Sequence, residues 1–468
     1  MTRRAQRRVL ERALVTLFAG VLLMLAAMTG APDAANAASG ASSWTVYHGN
    51  VAGSGVSTAL RAVNTTKRAW SSPALQGQLY GEPLVFGGAL FVATQDNLVY
   101  ALSSSNGSIL WARRLARAVP SSNLPCSNIS PFVGITGTPV IDPSRKEIFV
   151  VADELVGGKP QHRLVGLSTT SGAVELNQRV DPPGSDPAAL LQRTGLTLDA
   201  GHVVFGYGGN YGDCATYQGR VVSVKETGST PAFFTVDARA GQSQGAIWMG
   251  GAAPVIDARG NVWVSVGNGS VNSSGQVYDD SDSVLELSSA LRLRQYFAPA
   301  DWPQNNASDL DMSMAPALLA NGQVVLAGKS GIAYLLNGAH LGGIGTQESS
   351  LANACSNNID GGSAVVGLTV YLPCLSGTVA VRATSTPPTL TLLWSSSGGG
   401  PPIVAAGLVW TVGQDGVLYG LDPSSGHVRQ QASIGTSANH FATPSVGDGL
   451  LLATSTNRVV AFRASASS

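Results

Sequence analysis

The chain has 468 residues, with 28 basic and 28 acidic side chains, so only 12% of it is charged. That length supplies a large core and leaves room for two or three domains. A balanced charge without a basic run gives a nucleic-acid backbone nothing to hold strongly, and 56 Gly residues suit turn-rich β structure with a weakly charged surface.

At the N-terminus Arg3, Arg4, Arg7, Arg8 and Arg12 precede an apolar run from Ala13 to Gly30, and Ala35-Asn36-Ala37 offers a small-residue cleavage site before Ala38. Residues 1–37 are therefore expected to be a signal peptide, which makes the protein secreted or extracytoplasmic. The apolar run is 18 residues long, so an uncleaved anchor is the alternative, and only that form would touch a membrane. Cleavage removes five Arg, one Glu and one Asp, leaving 23 basic against 26 acidic residues.

Residues 38–68 form a lead-in, and a degenerate repeat then occupies 69–463. Its best copy runs Gly81-Glu82-Pro83-Leu84-Val85, Ala89-Leu90-Phe91-Val92-Ala93, Leu98-Val99-Tyr100-Ala101-Leu102 and Ile109-Leu110-Trp111. Short apolar runs joined by tight turns predict a four-stranded antiparallel meander. Further copies begin at Thr138-Pro139-Val140, near Leu196, and at Ala253-Pro254-Val255, Ala315-Pro316-Ala317, Ser363-Ala364-Val365, Pro401 and Thr443-Pro444-Ser445. Such a sheet cannot cover its own faces, so the units must stack, and a closed ring leaves no bare end. The expectation is an all-β, eight-bladed propeller, with seven blades as the alternative because the unit near Leu196 lacks the Pro. The last unit has only three strands, and Ala69 to Leu75 is placed to supply the fourth and close the ring. Residues 464–468 remain as a tail.

In this topology the connections between blades and the loops between second and third strands share one face. Cys126 and Cys355 fall in the former, Cys214 and Cys374 in the latter. An exported chain with an even number of Cys and no C-x-x-C reads as two disulfides. Three pairings exist; loop placement favours Cys126 with Cys214 and Cys355 with Cys374, the rival being that long loops bring other partners together.

The same face collects Asp213, Asn268 in Gly267-Asn268-Gly269, Asp309 and Asp311, and Lys329 in Gly328-Lys329-Ser330-Gly331. Oxygen donors from successive blades suit a hard cation such as Ca2+, with Lys329 beside it to polarise a carbonyl or bind an anion. Equally, Asp and Asn close β-turns through their own backbone, and a turn Lys faces water. Trp248, in a connection on this face, is a candidate wall for a flat ligand, whereas Trp111, Trp263, Trp394 and Trp410 are expected to pack between blades. The acidic run Tyr278-Asp279-Asp280-Ser281-Asp282-Ser283 could bind a cation, but a wet acidic loop before the strand at Val284 explains it equally well. Six scattered His, no G-x-S-x-G and no complete P-loop leave a zinc site, a serine triad or a nucleotide site without support.

The units Leu98-Val99-Tyr100-Ala101-Leu102…Gly107…Leu110-Trp111 and Val417-Leu418-Tyr419-Gly420-Leu421-Asp422…Gly426 resemble repeats of the pyrroloquinoline-quinone-type β-propeller superfamily. Trp44-Thr45-Val46-Tyr47-His48-Gly49-Asn50 is similar to its tryptophan-bearing lead-in. The resemblance implies the fold for residues 44–463. Toward its quinoprotein alcohol dehydrogenases it implies Asn268 and Asp309 as Ca2+ ligands, with Asp213 roughly where a Glu ligand stands. It also implies Asp311 as the catalytic base and Lys329 near the quinone, where Trp248, read above as a wall for a flat ligand, would be a cofactor contact. Those enzymes carry two adjacent cysteines at the quinone, and no two Cys are adjacent here; a C-x-x-C-H haem motif is absent too. Two readings follow: an exported binding module for a protein, glycan or small molecule, and a divergent quinone- and calcium-dependent oxidoreductase of alcohols or sugars that needs an external electron acceptor.

Overall fold

The repeat that begins at Gly81 folds as the expected meander, with Leu84–Phe86 innermost, then Ala89–Thr94, Leu98–Ser103 and, outermost, Ile109–Arg114. The two middle strands are buried on both faces while the outermost is largely exposed. That gradient explains the unbroken apolar runs in the sequence: sheets covered on both sides have no polar face to alternate with. The computed structural model describes residues 42–464 apart from 274, 357, 438 and 440, so the expected signal peptide and residues 465–468 of the tail lie outside it.

Seven further sheets repeat the plan, their innermost strands being Val140–Asp142, Thr197–Asp199, Val255–Ile256, Ala317–Leu318, Ala364–Val366, Ile403–Ala405 and Ser445–Gly447. The protein is an eight-bladed β-propeller. The irregular third unit is a full blade despite its missing Pro, and Leu190–Leu191 lengthens it by pairing with His202–Gly209. Ring closure falls to Trp70–Ser71, which pairs with Ala461 and Val460 as the outermost strand of the eighth blade.

Three outer-strand tryptophans lock neighbouring blades. Trp70, Trp111 and Trp394 donate their indole N–H to the carbonyls of Ser104, Thr169 and Pro423. Each ring lies on the turn glycine of the next blade, Gly107, Gly172 and Gly426, where a Cβ would stand 2.5, 2.7 and 2.5 Å from the indole. All three glycines have positive φ, so the turn and the contact demand the same residue.

An innermost strand has one edge without a partner. The lead-in supplies it. Trp44 exchanges two main-chain bonds of 2.8 Å with Val85 of the first blade, and the carbonyls of Thr45, Val51, Ser54 and Gly55 accept from Ile141, Ile256, Val365 and Val404. These belong to blades 2, 4, 6 and 7, so the segment circles the axis in ring order. Trp44, Val46, Tyr47 and His48 are buried there. Farther on, Val63 bridges Ala464, which ties the first residue of the expected tail to the blade it follows.

Candidate functional site

Asp311 lies in the connection between the fourth and fifth blades, and two strand ends fold around it. Asn268 follows Val262–Val266 of the fourth blade and Lys329 follows Gln323–Ala327 of the fifth. The amide of Asn268 donates to Asp311 Oδ1 at 2.7 Å, and the amide of Lys329 to the Asp311 carbonyl at 2.9 Å. The flanking glycines make this approach possible: a Cβ on Gly267 would stand 2.5 Å from Asp311 Oδ1, and one on Gly328 would stand 2.1 Å from its carbonyl oxygen.

The ammonium of Lys329 contacts Asp311 Oδ2 and lies 3.1 Å from Asp309 Oδ1. Asp311 is 1% exposed and Asp309 68%, so the pair spans from core to solvent. Burial pushes the Asp311 carboxyl up against the opposing charge of Lys329. Burial alone would lower the Lys329 pKa, but Asp311 and Asp309 outweigh it and raise it. Lys329 is therefore held as a cation.

Asp213 comes from the third blade, at a positive φ of 48°, and its Oδ1 accepts from the Tyr217 hydroxyl at 2.8 Å. Its pKa is raised by burial, with Asp311, Asp309 and Lys329 close enough to act on it through space. Beside it, the disulfide Cys126–Cys214 ties the connection ahead of the second blade to this loop, and Cys355–Cys374 joins the fifth and sixth blades. A shallow cleft lined by Asn210, Asp213, Tyr217 and the Cys126–Cys214 pair leaves no room for a ligand, whose pocket takes roughly 300–1,000 Å³.

The structure thus gathers Asp213, Asn268, Asp309, Asp311 and Lys329 into one neighbourhood. Trp248 lies against the third-blade loop that carries Asp213: its indole N–H donates to the Gly209 carbonyl at 2.9 Å, with the ring over Gly208. Asp282, which the sequence places in a run that is either a cation site or a wet loop, joins the cluster: it is fully buried with no hydrogen bond of normal geometry to either oxygen, although the Met312 amide lies near. Burial first, then Asp311 and Asp279, keep its carboxyl well above the usual range. The loop around it is a packed turn in which Asp279 accepts from Val271 and Ser281, and Asn306 bonds Gly269 and Ser281. Ser281 closes on Asp279 and is held in turn by Asn306 of the helix Trp302–Ala307, a link that the sequence shows only once the partner element is known.

These donors fit a Ca2+ ion poorly. Asp311 is spent on Asn268 and Lys329, and Asp213 on Tyr217. Among the described residues of the cluster, the buried oxygens without a hydrogen bond are Asn268 Oδ1, both of Asp282 and Asp311 Oδ2, the last facing Lys329, short of the six to eight oxygens Ca2+ takes. Among the described residues no group of three or more His, Cys, Asp or Glu is arranged to hold a metal ion.

A family model described as outer membrane protein assembly factor BamB matches residues 32–278, just over half of the chain. The chain belongs to that family. No curated protein sequence matches it significantly. Among solved structures, a quinohemoprotein alcohol dehydrogenase, ADHIIG, from Pseudomonas putida HK5 is similar over 91% of this chain and 81% of its own, at 13% identity and a TM-score of 0.68. A europium-containing methanol dehydrogenase is similar over 90% of this chain and 98% of its own, at 13% identity and a TM-score of 0.66. BamB from Moraxella catarrhalis is similar over 86% of this chain and 98% of its own, at 15% identity and a TM-score of 0.54. At such identities the likeness is one of fold, the pyrroloquinoline-quinone-type β-propeller, which the BamB family and the dehydrogenases share.

Proposed function

We propose that the protein is an extracytoplasmic, non-catalytic interaction module that offers its disulfide-fixed loop face to a partner. One observation carries the reading: where oxygen donors of three blades converge, the protein supplies its own cation, Lys329, and consumes the carboxylate that would face a metal. Lys329 offsets part of the negative charge that would recruit a metal and occupies Asp311. Membership of the BamB family supports a role in binding other polypeptides, and two disulfides suit an oxidising compartment outside the cytoplasm.

The test is an absorbance-monitored titration of the mature protein with pyrroloquinoline quinone, with and without Ca2+. The expected result is no saturable change in either condition. Saturable, Ca2+-dependent binding that Asn268→Ala weakens would overturn the module reading and establish the oxidoreductase one.

A further inference from the structure

The ring axis holds a second polar feature, away from the Lys329 cluster. Tyr80, Thr136, Arg193, Gly251 and Phe441 each stand four residues before an innermost strand, at Leu84, Val140, Thr197, Val255 and Ser445. That common register puts them in one layer around the axis on the loop face. Two residues nearer the strands lies the floor, where the Tyr47 hydroxyl of the lead-in meets Thr443 Oγ1 and the Gly362 amide.

Arg193 is the charge in this layer, and it is 6% exposed. Its Nη1 donates to the Thr136 carbonyl at 2.9 Å, but its Nη2 is buried without a hydrogen-bond partner. The guanidinium lies against two rings, 4.8 Å from the centroid of Phe441 and 5.8 Å from that of Tyr80, both partly exposed. Gly251 yields the space: a Cβ there would stand 2.6 Å from Nη1.

Among the described residues no carboxylate forms an ion pair with this cation. Glu82, two residues past Tyr80, is held above the usual carboxylate range by burial, and its Oε2 accepts from the His48 amide at 2.9 Å. Asp360, at the same register in the sixth blade, has a partner of its own. Burial lowers the Arg193 pKa to about 10, with Tyr80 and Tyr47 opposing it, so the group stays charged at neutral pH. A buried cation without a counter-ion is costly, and a guanidinium edge between aromatic rings matches a planar oxyanion.

We propose that this axial layer is a binding site for a carboxylate, held at the free Nη2 edge of Arg193 between Tyr80 and Phe441. The carboxylate comes from a small molecule or from the C-terminus of a polypeptide. The inference is independent of the module reading, since it concerns different residues and requires neither quinone nor Ca2+.

The test is calorimetric titration of the full mature protein with benzoate, inorganic phosphate, and one short peptide carrying either a free or an amidated C-terminus. Arg193→Gln and Arg193→Lys are titrated in parallel. Benzoate or the free-acid peptide should bind saturably, with affinity falling at least ~10-fold in Arg193→Gln and better retained in Arg193→Lys. Binding of the free-acid but not the amidated peptide assigns a polypeptide terminus; binding of benzoate alone assigns a small molecule. If no carboxylate binds the folded wild-type protein, or if binding survives Arg193→Gln in a protein whose circular dichroism matches wild type, the proposal is overturned. A preference for phosphate alone also overturns it.

Discussion

Replacing Lys329 by Met removes the counter-ion of a carboxylate that is 1% exposed while leaving the aliphatic body of the side chain in place. Breaking a buried pair by deleting one partner costs about 3–5 kcal/mol. Two features reduce this here: Lys329 is itself 21% exposed, and Asp311 keeps the 2.7 Å bond from the Asn268 amide. A loss of about 2–3 kcal/mol at pH 8 is expected, a melting-point drop of roughly 2–3 °C for a chain of this size. The sign with pH follows from the protonation states. Without Lys329 the Asp311 pKa in the folded protein rises further above its unfolded value, so the folded state holds a proton that the unfolded state has released. Stability then falls as pH rises from about 4 through the folded pKa, and the deficit shrinks at pH 5. Thermal melts of wild type, Lys329→Met and Lys329→Met with Asp311→Asn at pH 5 and 8 measure this, the double variant recovering most of the loss. A deficit equal at both pH values, or not relieved by Asp311→Asn, would refute the claim that Lys329 neutralises a buried charge.

Other outcomes follow from the same geometry. His162 is buried with Nδ1 2.9 Å from Asp181 and Nε2 4.0 Å from Asp153; burial lowers its pKa, but the two carboxylates outweigh that and raise it, while burial lifts Asp153 to about 7. Stability from the raised His is fully present below about pH 6.5 and is lost as pH climbs through its folded pKa, and ionising Asp153 acts in the same direction. Wild type should therefore melt lower at pH 8 than at pH 6, and His162→Gln should flatten that slope. Gly172→Ala and Gly157→Ala both place a Cβ at positive φ, but only the first meets a side chain, Trp111 at 2.7 Å. Gly172→Ala should cost at least ~1 kcal/mol more than Gly157→Ala in urea unfolding, and equal costs would deny the blade-locking role of the tryptophan. The disulfides span 88 and 19 residues, so replacing Cys126 and Cys214 by Ala should cost about 1 kcal/mol more than replacing Cys355 and Cys374, read from denaturation midpoints.

The blades were legible because strands covered on both faces leave unbroken apolar runs, such as Ala89 to Ala93, punctuated by turn glycines. Closure by Trp70 followed from counting strands in the last unit, and the cysteine pairs from knowing which loops share a face. The axial lead-in was not legible as a plug. Its contacts run through the main-chain carbonyls of Thr45, Val51, Ser54 and Gly55, which leave no side-chain pattern. The polar site was legible as a neighbourhood but not in its connections. Whether Lys329 faces water or Asp311 turns on the close approach at Gly267 and Gly328, and the hidden role of Asp282 on burial by a helix, Trp302–Ala307, and the loops beside it.

The path of the lead-in sets an order on assembly. Residues 44 to 57 reach binding partners as late in the chain as Val404, and Trp70 waits for Ala461. The segment can therefore begin docking on the first two blades through Trp44 and Thr45, but completes it only once the seventh blade is in place. Closure of the ring is a separate and later step, since Trp70 and Ser71 pair only with Ala461 and Val460 of the eighth blade.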